Sequence, residues 1–171
     1  MDRLYLHIPT YEELSYRQRI LSDPATMSYN ANYDINYKGY HKETGCIDFN
    51  KEDWPNWYSF WINNKPQCFY AYIVIKKTNE FIGEVNLHYN KTKDWYEMGI
   101  VIEDKYRGNG YSLEALNKLL EVAFNEFHAR AVHNNFETKR SSAYKVHLDA
   151  GFEKIEDDGN IVDLLIKRNE I

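Results

Sequence analysis

A mixed α/β, or α+β, fold follows from three features of this chain. Segments with the two-residue period of strands precede, separate and follow segments with the helical period. Three strand-like runs between residues 68 and 103 follow one another through short polar turns, which is the pattern of an antiparallel meander. The strongest helical pattern begins at the end of that meander, just past two glycines spaced two apart. The 171 residues are enough to bury a real core. No repeat, low-complexity tract or Pro/Gly/Ser linker divides them, so residues 1–171 are expected to form one domain.

The elements read off in order. Leu4, Leu6 and Ile8 alternate with Arg3, Tyr5 and His7, a half-buried opening strand. Thr10 with Glu13 makes a capping-box pattern and predicts a helix from about Tyr11 to Leu21, ended by Ser22-Asp23-Pro24. From Ala25 to Gly45 the chain is irregular, polar and Tyr-rich. Asn50 can cap a short helix carrying Trp54, Trp57, Tyr58, Trp61 and Ile62 on one stripe, a pattern that suits core packing or a substrate platform. Cys68 to Lys77 and Glu80 to Tyr89 form a hairpin about Thr78-Asn79, and Trp95 to Glu103 adds the third strand. Leu113, Leu116, Leu119, Leu120, Ala123, Phe124 and Phe127 share one face of a long helix. A strand over Ala131 to Phe136 follows, then a helix over Ser141 to Ala150 with Gly151 at its C′ position. Two last strands, Phe152 to Glu156 and Ile161 to Lys167, flank an Asp157-Asp158-Gly159-Asn160 turn.

Composition narrows the function classes. A net charge of −5 argues against a nucleic-acid binder driven by bulk charge. Cys46 and Cys68, the only cysteines, lack metal-like spacing and a nearby His, which excludes a disulfide scaffold or zinc finger and fits a reducing cytoplasm. No metal site is expected. The opening MDRLYLHIPTYEE has no apolar core of a signal peptide, and the longest apolar run is Phe69 to Ile75, so no membrane segment is expected. Aromatics reach 16%, fifteen of them Tyr; they would suit a homodimer face as readily as interior packing.

The informative stretch is Ile100-Val101-Ile102-Glu103-Asp104-Lys105-Tyr106-Arg107-Gly108-Asn109-Gly110-Tyr111-Ser112. A strand ends and a long helix begins at once, so free amides backed by the helix dipole face one point, and the glycines let them converge on an anion. A P-loop would need Gly-Lys-Ser/Thr, and no Lys follows Gly110; a dinucleotide fingerprint would need a third glycine where Leu113 stands. A plain turn with two glycines fits the same residues. Residues 105–145 hold seven Lys/Arg against four Asp/Glu, a locally basic segment in an acidic chain, which suits a multiply anionic ligand.

On these residues the chain resembles the GNAT superfamily of N-acetyltransferases. Lys105-Tyr106-Arg107-Gly108-Asn109-Gly110 matches the family's Gln/Arg-x-x-Gly-x-Gly/Ala pyrophosphate loop with Lys in first place, and YRGNGYSLEAL and SSAYKVHLDAGFEKI are similar to family segments. The order of elements agrees from Leu4 to about Lys167. The resemblance implies a mostly antiparallel central sheet of six to seven strands, about four flanking helices, and a fourth strand splayed from the fifth. It implies acetyl-CoA as co-substrate, held by the amides of Arg107, Gly108, Asn109, Gly110, Tyr111 and Ser112 and by the backbone of Ile100, Val101 and Ile102. It also implies acetyl transfer to a primary amine of a small molecule or a peptide N-terminus.

That chemistry needs a group to take the amine proton and one to protonate the departing thiolate. Glu97, in phase with Gly99 and Val101, is the first candidate base and Glu84 the second; each also suits a salt-bridged strand residue. His147 stands four residues before Gly151, where many family members place the acid Tyr, and Ala143, Val146 and Ala150 share its face, which equally suits a buried structural His. Tyr144 is the nearest other donor. Arg140 and Ala143 stand where the family carries Asn and Ser. Acceptor recognition falls to the aromatic, acidic stretch from Met27 to Trp61. Two other readings share the loop: an acyl-CoA-binding sensor or partner module without transfer, and a site for a longer acyl-CoA.

Overall fold

The computed structural model describes residues 2–169. Its strands are β1 (Leu4–His7), β2 (Cys68–Ile75), β3 (Phe81–Asn90), β4 (Trp95–Ile102), β5 (Ala131–Glu137), β6 (Glu153–Asp157) and β7 (Ile161–Lys167). Its helices are α1 (Leu14–Leu21), α2 (Pro24–Met27), α3 (Trp54–Trp61), α4 (Tyr111–Glu121) and α5 (Ser141–Asp149). The seven strands form one sheet in the order β1-β2-β3-β4-β5-β7-β6. Every neighbouring pair is antiparallel except β4 with β5, which run parallel. The predicted α+β class and strand count hold, with five α-helices rather than about four.

Strand alternation sorts the side chains between the two faces. Phe69, Ala71 and Ile73 of β2, Val85 and Leu87 of β3, Met98 and Ile102 of β4 and Val132 of β5 pack with Leu116, Leu119, Leu120 and Ala123 in the largest core. Tyr70, Tyr72 and Val74 point the other way, onto Tyr16 and Ile20 of α1. That is why Phe69 to Ile75 reads as a continuous apolar run: β2 is covered on both faces. The tryptophan stripe packs on the core: Trp54 is buried with Phe49 and Leu14, and Trp57, Tyr58, Trp61 and Ile62 lie half-buried against it.

Two boundaries differ from the sequence expectation, each for a local reason. The first helix begins at Leu14 instead of Tyr11 because the Glu13 carboxylate accepts from the Thr10 amide (2.9 Å) and pairs with His7 (2.6 Å), folding residues 10–13 into turns. The long helix turns to π geometry over Val122–Glu126, closed by the Phe127 amide donating to the Val122 carbonyl at 3.1 Å. The shift lets Phe127 meet the Phe69 and Tyr96 rings.

Buried charge fixes α1 across the middle of the sheet. Arg17 Nη1 donates to both oxygens of Glu84 at 2.8 and 2.7 Å, and Arg19 donates to Glu103 at 2.9 Å. The Arg17 guanidinium lies over the Trp57 and Phe49 rings at 4.7 and 5.0 Å, so one side chain ties α1, α3 and β3 together. Glu84 is only 5% exposed, so it depends on this partner. Arg17→Met should therefore lower stability by about 3–5 kcal/mol in urea unfolding, and adding Glu84→Gln should recover part of the loss by removing the orphaned charge.

Candidate active site

The site begins where β4 and β5 stop pairing. Only Tyr96–Val132 and Glu97–His133 are paired between them, after which the strands part. At that vertex His133, 6% exposed, lies between two carboxylates: Glu97 at 2.5 Å from Nδ1 and Asp163 of β7 at 2.9 Å from Nε2. Each ring nitrogen faces a carboxylate oxygen, so the ring bridges three strands. Trp95 stacks on the imidazole at 4.7 Å and donates its Nε1–H to Glu97 at 2.6 Å; Asn90 donates to the same oxygen at 3.1 Å. Burial pushes the Glu97 carboxyl up, but hydrogen bonds from Trp95, His133 and Asn90 outweigh it and hold it below the usual carboxylate value.

Beyond the vertex lies a cleft of about 420 Å³. Ile100, Val101 and Ile102 form one wall, and Ser141, Ser142, Ala143, Val146 and His147 of α5 line the other. Tyr29, from the turn after α2, and Ser112 complete it with Arg107, Lys139 and Arg140. Among the described residues, no Asp or Glu lines this cleft. The acidic chain thus turns a cationic lining to this cleft, with Lys139 paired to Glu137 at 2.9 Å and Arg107 to Asp104 at 3.4 Å just outside it. A larger cavity, about 800 Å³, opens on the far side between α4 and β6–β7. It holds none of the glycine-loop residues, whereas the smaller cleft gathers Arg107 and Ser112 of the loop, the cations and the parted strands.

The glycine loop is built as its sequence implies. Gly108 and Gly110 adopt φ of +79° and +76°, a conformation that strains any L side chain. Gly110 is the N-cap of α4 with no side chain capping it. Among the described residues, the amides of Gly108, Asn109, Gly110, Tyr111 and Ser112 have no acceptor within the chain. The Arg107 amide differs, donating to Asp104 O at 3.1 Å. Its guanidinium instead bonds Ile102 O (3.0 Å) and Thr26 O (2.7 Å), bracing the end of β4 against α2. Arg3 holds the loop from outside, donating to Asn109 O at 2.9 Å, covering the Tyr111 ring at 4.6 Å and pairing with Glu114 at 3.0 Å.

The four proton-transfer candidates lie in different surroundings. Glu97 is at the vertex on the face opposite α4, its side chain still 23% exposed. Glu84 is outside the cleft, tied to Arg17 and to the Tyr70 hydroxyl. His147 lines the cleft but is 2% exposed; its Nδ1–H donates to Ala143 O at 2.8 Å, which leaves Nε2 to accept from Asn134 at 3.0 Å. Burial lowers its pKa, so the ring is neutral at pH 7 and directs no proton into the cleft. Tyr144 packs against the main core and does not line the cleft. His133 and Tyr29, unmarked in the sequence reading, are the additions; the strand alternation that singled out Glu97 would have exposed His133 had the β4–β5 register been known.

Among the described residues, no cluster of His, Cys, Asp or Glu is arranged to hold a metal ion, and no helix is long and apolar enough to cross a membrane. The GNAT acetyltransferase domain model matches residues 3–153. The chain belongs to the GNAT acetyltransferase family. It is an acetyl-CoA-dependent N-acetyltransferase. A GNAT-family acetyltransferase from Bacillus anthracis superposes with a TM-score of 0.73 at 18% identity, covering 97% of this chain and 95% of that one. A spermidine N-acetyltransferase from Vibrio cholerae, solved with CoA and spermine, superposes with a TM-score of 0.76 at 14% identity, covering 98% and 96%. At these identities the likeness is one of fold. A comparison with curated proteins finds no significant match.

The vertex carries a pH signature. Because the Glu97 pKa is depressed by folding, its hydrogen bonds stabilise the fold above the unfolded carboxylate value and are lost as pH falls through the folded one. Glu97→Gln should cost about 1–2 kcal/mol at pH 7, since the group is partly exposed. Urea titrations of the two proteins should converge as the pH falls below about 4.

Proposed function

We propose that this chain, acting as one catalytic domain, moves acetyl from acetyl-CoA directly to a primary amine, on a small molecule or at a peptide N-terminus. The observation that carries the reading is the β4–β5 pair that closes at Glu97–His133 and then opens over Ile100, Val101 and Ile102. Unpaired strand backbone in the middle of a sheet offers hydrogen bonds to an extended, amide-bearing ligand. The pantetheine arm supplies such amides. At the outer end, the free amides of Gly108, Asn109, Gly110, Tyr111 and Ser112 would hold the pyrophosphate, with Arg107, Lys139 and Arg140 offsetting its charge.

The acceptor approaches from the opposite face, where the segment from Met27 to Trp61 covers the sheet. An alkylamine is protonated at pH 7, and freeing its lone pair costs roughly 4–5 kcal/mol. Glu97 is the carboxylate we assign to receive that proton, directly or through water. Its low pKa keeps it ionised, and its position at the vertex sets it one strand repeat from Gly99, where the parted strands begin. Glu84, neutralised by Arg17, is assigned to the fold. Cys46 and Cys68 are both buried, at 7% and 2% exposure, and neither lines the cleft, which supports direct transfer over an acyl-cysteine route. The polyamine named for the Vibrio cholerae neighbour makes a small amine the first acceptor class to test.

Calorimetric titration with acetyl-CoA tests the cleft. A Cβ at Gly108 meets nothing within 4 Å, so Gly108→Trp carries only the left-handed strain while its indole covers the loop amides. Micromolar binding by the native chain, weakened at least about 100-fold in the variant, is expected if the amides hold the pyrophosphate. Absence of binding by folded native protein would overturn the proposal.

A further inference from the structure

The reaction needs a proton for the departing sulfur, and the residues considered for it leave that role open. His147, on the α5 wall, has one nitrogen spent on Ala143 and the other on Asn134. Tyr144 lies outside the cleft. One phenol does line the cleft, and it comes from the other wall: Tyr29, in the 3-10 turn Ser28–Asn30.

Tyr29 is held firmly at both sides. Met27 is 1% exposed in the core below it. Asn30 donates to Gly45 O at 3.0 Å and accepts from the Tyr40 hydroxyl at 2.6 Å. Gly45 sits so close that a Cβ there would lie 2.3 Å from Met27 O, so this turn is pressed against the backbone of its neighbour. Arg140, which also lines the cleft, lies over the Tyr29 ring at 5.0 Å and over Phe136 at 5.5 Å. Yet its hydroxyl is unused. Inward-facing tyrosines normally find a partner for the O–H. Tyr16, Tyr40, Tyr58, Tyr70, Tyr72 and Tyr96 each donate to a carboxylate or carbonyl here. Among the described residues, nothing bonds the Tyr29 hydroxyl, which opens to solvent in a cleft lined by no carboxylate.

The geometry points to Tyr29 as a further catalytic residue, donating its O–H to the thioester sulfur as acetyl leaves it. This rests on reading the cleft as the acetyl-CoA site. The amine nitrogen bonds to the carbonyl carbon and the C–S bond breaks, its electron pair passing to sulfur. The Tyr29 hydroxyl proton goes to that sulfur. The remaining proton shed by the acylated nitrogen returns through water to the tyrosinate oxygen, and Glu97 releases to solvent the proton it took from the ammonium, so the enzyme ends as it began. Burial, reinforced by the Glu84 carboxylate, keeps the phenol above its ordinary range, so it holds its proton at neutral pH. His147 is then a structural residue, wedged between the Phe136 and Phe152 rings at 5.0 Å from each.

The test is the ionisation of CoA bound to the protein, read from the ultraviolet absorbance of the thiolate across a pH titration, in the native chain and in Tyr29→Phe. The substitution removes a hydroxyl that bonds nothing, so folding and calorimetric CoA affinity should stay within about two-fold. In the native complex the thiol should ionise about one pH unit or more below its value in Tyr29→Phe, because the phenol donates to the thiolate. With spermidine as acceptor, kcat for thiol release should fall on the order of 100-fold with little change in KM for acetyl-CoA. Equal thiol ionisation in the two complexes overturns the inference while leaving the cleft assignment intact. Failure of the native chain to bind CoA overturns both.

Discussion

Two residue pairs join β4 to β5, and the molecule is organised around the fact that there are no more. A parallel pair that ran on would bury Ile100, Val101 and Ile102 in an ordinary sheet with their peptide groups satisfied. Instead the join is concentrated at its base. Glu97, His133 and Asp163 link β4, β5 and β7 by hydrogen bonds, and Trp95 stacks on the imidazole. A short, strong join lets the strands diverge immediately beyond it without the sheet coming apart. The divergence leaves peptide groups facing a cleft, and that cleft is where α5, the glycine loop and the turn after α2 converge.

The distribution of charge follows the same division. The chain as a whole is acidic, yet the cleft shows only cations, because the nearby carboxylates are committed elsewhere. Glu84 and Glu103 are spent on Arg17 and Arg19, which fasten α1 over the sheet. Glu114 is spent on Arg3, which steadies the loop. Glu97 closes the vertex. Each pairing is a fold interaction with a consequence for the site: it removes a negative charge that would repel an anionic ligand. Glu84 shows why a strand carboxylate near an active site is ambiguous in one dimension, since only the position of Arg17 decides whether it is free.

Tertiary packing also reassigns the aromatic residues. The stretch rich in Tyr and Trp before β2 reads as a recognition surface or as packing, and the structure divides it: Trp54 is buried, Trp57, Tyr58 and Trp61 are half-buried against the core, and Tyr37 and Phe60 stay exposed. Trp54, Trp57 and Tyr58 pack with Phe49 and Met27 into a small core that holds this segment over the sheet. What the packing delivers to the cleft is one side chain, Tyr29, fixed by a turn that closes on Gly45. The tryptophan stripe packs in the same small core as Tyr29.

Local periodicity determined the strands, the main helices, the meander and the two left-handed glycines, because each depends on residues within a few positions of one another. The resemblance carried by the Lys105 to Leu116 segment placed the loop and its free amides, since a backbone site is written in glycines and a helix start. The Arg107 amide was the exception, and only the folded 3-10 turn at Asp104–Tyr106 shows that it is already bonded. The rest depended on contacts between distant residues. His133 lies 36 positions from Glu97, and Glu84 lies 67 from Arg17. Whether a carboxylate or imidazole is free for chemistry is set by such partners, and register between non-consecutive strands is what brings them together. The sequence by itself determined which elements form and where a run of free amides lies; the tertiary structure alone decided which side chains line the cleft unpaired, because hydrogen-bond saturation is a property of the packed interior and not of the local chain.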